Sequence, residues 1–377
     1  MSKYKIMTPG PVQVPENVRL ARSISTTNAD LDPQFYDEYK ETCELISKLL
    51  HTKNETLILS GEGILGLEAA CASMTESGDR VLILDNGIYG AGFADFVSMY
   101  GGTAVMYTKD YKNAFDVNEL DAYLKKDHDF KYATIVHCDT PSGMLNDIHK
   151  ICPLLKSYGI MTVTDSVSGM FGNEVDVDKA QIDILCGGSQ KAVSAPPGLT
   201  FVTISDEAKA AMENRKTPIA SFYCNLTIFK DYYKNLWFPY TMSISDIYGL
   251  KAAIDNIAAD KDLIKRHAKI ANATREALKE FGIKLHLESG FSDTVTVFDV
   301  PEGMTADDIL KRMREDHHIM LAGSFGDLAG KVIRIGHMGA SANVGDMLEV
   351  MSGLEETLRY LGWKSEKSLL KSFHDKL

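Results

Sequence analysis

Short apolar runs alternate with amphipathic stretches through the first 214 residues. Runs rich in Val, Ile, Leu and Thr predict strands, and several are apolar on both faces, as buried parallel strands are. We predict seven strands, at residues 56–59, 80–84, 103–107, 134–137, 161–164, 182–185 and 200–204. Segments with helical spacing lie between or after them, at residues 64–74, 90–100, 117–125, 148–158 and 206–214. This order predicts an α/β fold with a mostly parallel sheet sandwiched by helices.

The pattern changes after about residue 243. One long helical stretch at residues 245–281 is followed by a strand (294–300), a helix (306–315), a strand (332–335) and a helix (344–361). We therefore predict a smaller C-terminal α/β domain at residues 259–377, after a large domain at residues 16–258. Residues 1–15 hold three prolines and one glycine. We expect them to form an extended arm without a regular element.

Composition narrows the class of protein. The 377 residues carry 40 basic and 52 acidic side chains, a net charge of −12, which argues against a nucleic-acid or anionic-membrane partner. No apolar stretch is long enough to span a membrane, and the N-terminus lacks the apolar core of a secretory signal. The six cysteines include no Cys-x-x-Cys pair. We expect buried, reduced thiols in a cytoplasmic protein without a metal site.

The first candidate for chemistry is the loop at residues 59–64, which reads Leu-Ser-Gly-Glu-Gly-Ile between a predicted strand and a predicted helix. The backbone N–H groups at such a helix start, here of Glu62, Gly63 and Ile64, favour a phosphate group. The loop matches neither a Walker motif nor a dinucleotide fingerprint. An ordinary strand-to-helix turn is the alternative.

The second candidate is Asp165, which follows the predicted strand at residues 161–164. Ligands of open α/β sheets bind at the carboxyl ends of such strands. A carboxylate that is removed from water there needs a cationic partner. A helix-capping Asp, or one bonded to neighbouring backbone, remains the alternative.

The third candidate is Lys191, where an apolar strand runs into Gly-Gly-Ser-Gln-Lys. Burial disfavours an ammonium group, so the pKa of this lysine should fall and supply a free amine. Free amine is what Schiff-base chemistry requires. A surface lysine is the alternative.

The fourth candidate is Arg334, within Val-Ile-Arg-Ile-Gly at residues 332–336. In a strand, Arg334 faces opposite to Ile333 and Ile335. A rigidly held guanidinium suits bidentate binding of a carboxylate. Pairing with an internal Asp or Glu is the alternative. Together, a phosphate site, an Asp, a Lys and a late Arg are the groups that pyridoxal phosphate and an amino acid require.

The chain resembles the class V aminotransferases, and most closely the alanine–glyoxylate and serine–pyruvate group. The stretch Gly-Ser-Gln-Lys-Ala-Val-Ser-Ala-Pro-Pro-Gly at residues 188–198 is very close to the lysine motif of that group. Further matches are Arg-Lys-Thr at 215–217, Ser-Phe-Tyr at 221–223 and the segment 332–336. The segments 8–11, 85–90 and 137–143 are also similar to 2-aminoethylphosphonate–pyruvate transaminases. The resemblance implies fold type I of the pyridoxal-phosphate enzymes.

The resemblance also implies roles for individual residues. Lys191 and Asp165 would be catalytic, with Lys191 linked to the aldehyde of pyridoxal phosphate and Asp165 paired with the ring nitrogen. The other cofactor contacts would be the loop residues Glu62, Gly63 and Ile64, the ring-stacking residues Tyr89 and Val167, Thr140 near the ring hydroxyl, Gln190 at the phosphate, and Thr241 at the phosphate of a neighbouring subunit. Arg334 would bind the substrate carboxylate, helped by backbone at Pro9 and Gly10.

Three positions depart from the family pattern. The usual phosphate loop reads Ser-Gly-Ser-Gly-Thr or ends in His, whereas this chain keeps Gly63 but has Glu62 in the third place and Ile64 in the last. Because a carboxylate repels a phosphate dianion, we expect Glu62 to use its backbone N–H and to turn its side chain away. Contact with the amino group of a substrate is the alternative. Phe238 stands where relatives use a phosphate-binding tyrosine.

The implied function is a ping-pong aminotransferase. It would move an amino group from a small amino acid of the alanine or serine type to glyoxylate or pyruvate. The implied assembly is a homodimer with shared active sites. A 2-aminoethylphosphonate–pyruvate transaminase and a non-catalytic pyridoxal-phosphate-binding protein remain the alternatives.

Overall fold

One seven-stranded sheet organises most of the computed structural model, which describes residues 4–377. The strands up to the end of this sheet are β1 (Lys5–Ile6), β2 (Glu55–Ser60), β3 (Arg80–Asp85), β4 (Thr103–Thr108), β5 (Tyr132–Val136), β6 (Cys138–Asp139), β7 (Met144–Leu145), β8 (Met161–Asp165), β9 (Ile184–Gly188) and β10 (Leu199–Ile204). The sheet order is β2-β10-β9-β8-β5-β3-β4, and only β10 runs antiparallel to its neighbours. The predicted, mostly parallel sheet is therefore confirmed.

Helices cover the large sheet because its central strands are buried along their whole length, as in β5 and β10. The helices of this part are α1 (Glu16–Ala21), α2 (Pro33–Leu49), α3 (Gly63–Met74), α4 (Ile88–Met99), α5 (Val117–Leu124), α6 (Ile148–Ser157), α7 (Val177–Ala180), α8 (Asp206–Glu213), α9 (Tyr232–Asn235) and α10 (Ile244–Ala259), with a 3₁₀ turn at Leu226–Phe229. α2 packs on β2, α3 on β9 and β10, α4 on β3, and α6 on β8.

The C-terminal part has its own cluster of buried apolar side chains. The elements are α11 (Leu263–Glu280), β11 (Val295–Asp299), α12 (Ala306–Glu315), β12 (Ile319–Met320), β13 (Val332–Gly336), α13 (Val344–Tyr360) and α14 (Leu369–Asp375), with 3₁₀ turns at Gly326–Leu328 and Gly339–Ser341. β11 and β13 form an antiparallel pair, and the four helices surround this core.

Two expectations about regular elements are wrong. The arm does contain a regular element, because β1 pairs in parallel with β12; residues 1–3 of the predicted arm lie outside the described residues. The stretch at 245–281 is two helices, since α10 ends at Ala259. The side chain of Asp260 accepts from the Asp262 backbone N–H at 3.2 Å and pairs with Arg266 at 2.7 Å. Such local bonds favour a turn over a continuous helix.

The cysteines are free thiols, and the helices lack the properties of membrane spans. All six cysteines are buried, and none is bonded to another. None of the helices between residues 4 and 377 combines the length and the apolar character that a membrane span requires.

Candidate active site

A cavity of about 240 Å³ lies at the carboxyl edge of the large sheet. Strands β2, β8 and β9 point the same way and end at this edge, because β10 reverses direction between β2 and β9. The edge is where open α/β sheets bind ligands. The lining residues come from the arm, the ends of these strands and the loops that follow them: Gly10, Pro11, Glu62, Gly63, Ile64, Leu67, Tyr89, Cys138, Thr140, Asp165, Val167, Ser168, Gln190, Lys191 and Pro197.

Lys191 projects into the cavity three residues after β9 ends. Its Nζ donates to the carbonyl oxygen of Pro9 at 2.7 Å. Burial lowers the pKa of Lys191 to about 8, and the nearby charge of Arg334 acts in the same direction. Gly10 has φ of +107°, and a Cβ there would lie 2.4 Å from the lysine Cδ. The arm can therefore cross the lysine only with glycine at this position.

Asp165 is the last residue of β8 and is 4% exposed. Its carboxylate accepts from the Val167 backbone N–H at 2.9 Å. Burial raises the pKa of Asp165 to about 7, although the charge of Lys191 opposes the shift. Within residues 4–377, Asp165 forms no ion pair with a Lys or Arg. The carboxylate is therefore a buried acid that lacks a cationic partner, which is costly unless a ligand supplies one.

Tyr89, at the start of α4, and Thr140, in the loop after β6, both line the cavity. The Tyr89 backbone N–H, in the first turn of α4, donates to the buried carboxylate of Asp139 at 3.1 Å. The Tyr89 ring meets Phe325 edge-on at 6.1 Å between centroids. The hydroxyl of Thr140 is hydrogen-bonded to that of Ser168. These contacts place the aromatic ring and the hydroxyl pair beside the carboxyl edge of the sheet.

The loop after β2 differs from expectation. The Glu62 side chain does not turn away: one oxygen accepts from the Ile64 backbone N–H at 2.9 Å, and the other accepts from the Gln190 amide. Glu62 thus caps α3, and it lines the cavity together with Gly63 and Ile64. A Cβ on Gly63 would lie 2.9 Å from a Val167 methyl carbon, so glycine allows the loop to pack here.

Arg334 lies beside the cavity and is half-buried. It is the one polar residue of β13, and its neighbours Ile333 and Ile335 are fully buried. Its Nε donates to the Gly323 carbonyl at 2.5 Å, and its Nη1 donates to the Thr140 carbonyl at 3.4 Å. Arg334 makes no ion pair with any residue of the described chain, so the alternative of an internal acidic partner is not realised.

Some predicted residues lie away from this cavity. Thr241 is exposed, and its hydroxyl donates to Asp30 at 3.4 Å. Phe238 is 3% exposed and stacks on Tyr36 at 4.5 Å in an aromatic cluster. Pro9 takes part through its carbonyl oxygen, whereas Gly10 lines the cavity directly.

Several lining residues escaped prediction. Cys138 and Ser168 are buried and line the cavity. Pro11, Leu67 and Pro197 also contribute to its lining. The signal for the first two was their position: Cys138 stands two residues before Thr140, and Ser168 directly follows Val167. Residues that neighbour a candidate site residue near a strand end are therefore the positions at which further lining residues could have been predicted.

Comparison with known proteins identifies the family. The model described as Aminotransferase class-V matches residues 18–333. Serine–glyoxylate aminotransferase of Arabidopsis thaliana is 30% identical over 371 residues, covering 96% of this chain and 92% of that protein. Pyridoxamine–pyruvate transaminase of Mesorhizobium japonicum is 32% identical over 347 residues, covering 89% and 86%. The solved ureidoglycine–glyoxylate aminotransferase of Bacillus subtilis superposes with a TM-score of 0.95 at 28% identity, covering 100% and 98%.

The family match spans most of the chain, and the alignments with the two named transaminases cover most of each relative's length. The structural neighbours share fold type I. The predicted family, fold and cofactor class are therefore confirmed. The chain belongs to the class V aminotransferases and is a pyridoxal-phosphate-dependent transaminase.

Proposed function

We propose that this transaminase moves an amino group from a small amino acid of the alanine or serine type to glyoxylate or pyruvate. One observation carries the proposal: the Lys191 amine, with its pKa lowered to about 8, shares a cavity with the Asp165 carboxylate and lies close to an Arg334 that has no ion pair within residues 4–377. Relatives named as serine–glyoxylate and alanine–glyoxylate aminotransferases support this choice of substrates.

The ring end of the cavity fits pyridoxal phosphate. Asp165 is a buried carboxylate that lacks a cation, and a protonated ring nitrogen would supply one. Tyr89 and Val167 offer the faces on which a flat ring packs, with Thr140 for the ring hydroxyl. Lys191 offers the amine. At the phosphate end, Glu62 is bonded to Gln190 and to the Ile64 N–H, and Gly63 offers its backbone N–H group.

When bound, the cofactor supplies an electron sink for breaking the bond between Cα and hydrogen in an amino acid. The protein's part begins with Arg334, which would hold the substrate carboxylate by two hydrogen bonds and so fix the Cα–H bond. Lys191, as free amine, would take this proton and return it as a general acid. Asp165 would remain ionised against the ring nitrogen. Because donor and acceptor would use the same site in turn, ping-pong kinetics follow.

The test is a half-reaction screen on the loaded enzyme. Single amino acids are added, and the change in cofactor absorbance is followed, with Lys191→Ala as the inactive control. We expect alanine or serine to convert the cofactor. Conversion by 2-aminoethylphosphonate and not by these amino acids would favour the phosphonate transaminase instead. Failure of every amino donor would refute the proposal.

We further propose a homodimer in which Thr241 reaches the phosphate end of the neighbouring subunit's cavity. In support, Thr241 is exposed, and so are the large apolar side chains of Phe222 and Trp237, at 58% and 56%. Phe222 meets Tyr223 at 6.2 Å, and Tyr223 stacks on Tyr240 at 4.6 Å, so apolar rings are contiguous beside Thr241, as is typical of an interface. Light scattering after gel filtration tests the dimer, and a monomer would refute it. We retain the division at residues 258 and 259 as a proposal that limited proteolysis can test.

A further inference from the structure

The phosphate end of the cavity is already supplied with negative charge by the chain itself. Glu62 caps α3 through the Ile64 N–H, which is a group that a bound phosphate would use. The second oxygen of this carboxylate holds the Gln190 amide nitrogen. The positive end of the helix dipole is thus met by Glu62 rather than left open for a ligand.

A second observation points to the kind of ligand that fits here. Gln190 is 3% exposed and lines the cavity, yet its Oε1 has no hydrogen-bond partner within the described residues. Exchanging the amide oxygen and nitrogen would set an oxygen against the Glu62 carboxylate, so the assigned orientation is the favourable one. Glu62 and Gln190 therefore present acceptors, and a buried acceptor without a partner calls for a donor.

A phosphate dianion carries no hydrogen to donate, and it would face the Glu62 carboxylate. An alcohol donates one hydrogen bond and carries no charge. The two acceptors therefore match a hydroxymethyl group better than a phosphomethyl group. This difference separates the free forms of vitamin B6 from their phosphates.

We propose that this end of the cavity does not fit the phosphate of pyridoxal phosphate, the cofactor of the family, and that Glu62 and Gln190 instead select the unphosphorylated vitamers pyridoxal and pyridoxamine, which this site uses as exchangeable amino-group carriers. The inference rests on the proposed function, since Lys191 and Asp165 hold the same ring. The reaction balances without another reagent: pyridoxamine gives its amino group and one carbon-bound hydrogen to a 2-oxo acid and takes the carbonyl oxygen. The products are pyridoxal and an amino acid.

The test titrates cofactor-free protein with pyridoxal and, separately, with pyridoxal phosphate, and follows attachment to Lys191 by absorbance. We expect pyridoxal to bind at least about tenfold more tightly than the phosphate in the wild type, because like charges in contact are costly. Glu62→Gln keeps the shape and removes the charge, so it should shift this ratio towards the phosphate by at least about tenfold. The matched control is Asp116→Asn, which removes the N-cap acid of α5 away from the cavity; it should leave the ratio unchanged.

Tighter binding of pyridoxal phosphate in the wild type, or an unchanged ratio in Glu62→Gln, would overturn this inference while leaving the proposed function standing. Attachment of neither compound to Lys191 would instead refute the proposed function. A turnover assay supplies a second measurement: pyridoxamine and pyruvate in excess over protein should yield many equivalents of pyridoxal and alanine. A limit of one equivalent per site would also overturn the inference.

Discussion

Replacement of Arg334 by Gln tests whether this side chain binds substrate or supports the fold. A guanidinium that holds a carboxylate makes two charge-assisted hydrogen bonds, each contributing about 1.5–3 kcal/mol. Because Gln retains one neutral donor, we expect a loss of about 3 kcal/mol, or a roughly 100-fold fall in kcat/KM for a 2-oxo acid. Steady-state kinetics with pyruvate and glyoxylate measure this fall.

Stability should respond differently. Arg334 is half-buried without an ion pair in the described chain, and burial lowers its pKa, so its charge is held at a cost. We therefore expect Arg334→Gln to keep or raise the Tm of the cofactor-free protein. Arg275→Gln is the matched control, since Arg275 pairs with Asp293 at 3.2 Å outside the cavity. It should lower Tm and leave kcat/KM unchanged. A loss of stability without a loss of kcat/KM in Arg334→Gln would refute the reasoning.

Four further outcomes are expected. Lys191→Ala should abolish turnover with every amino donor, and activity of this variant at the wild-type level would exclude the proposed role of Lys191. Covalent attachment of the vitamer to wild-type protein should rise with pH to a half-maximum near the Lys191 pKa of about 8, since the free amine reacts; a flat profile would contradict this. Gly10→Ala should cost about 1–2 kcal/mol of stability and block attachment. Gly198→Ala should cost stability alone, because Gly198 also has a positive φ, of +135°, but its Cβ would approach only the Asp246 carboxylate, at 3.8 Å. In the cofactor-free protein Asp165 has a pKa raised to about 7, so wild-type stability should fall as pH rises from the unfolded-state pKa of about 4 towards 7; in denaturant titrations of the cofactor-free proteins, Asp165→Asn should lack this fall.

The large sheet was predictable because its strands are short, continuous apolar runs. All seven predicted strands occur in it, with ends that shift by up to three residues. The reversed direction of β10 was not predictable, since an apolar run carries no information about strand direction. α2 was missed although Asp32 caps it and Phe35, Tyr39 and Cys43 form its buried face. Its start at Asp-Pro was the available signal.

The site was predictable where chemistry depends on residue type and strand end, as at Lys191 and Asp165. The position of the Glu62 side chain was not predictable from repulsion by a phosphate alone, because the protein's own donors hold it. The Ile64 N–H and the Gln190 amide stabilise this carboxylate where it is. A sequence read residue by residue does not show that Gln190 and Glu62 meet, since 128 positions separate them.

The charges around Lys191 also determine the pH at which kcat/KM of Arg334→Gln should be compared with that of the wild type. The Arg334 charge lowers the pKa of Lys191, whereas Glu62 and Asp165 raise it. Arg334→Gln therefore removes a carboxylate-binding group and, at the same time, makes the lysine harder to deprotonate. Below a pH of about 8 both effects would reduce kcat/KM. Well above this pKa the amine is free in both proteins, so the fall that persists there reports the lost contact with the substrate carboxylate.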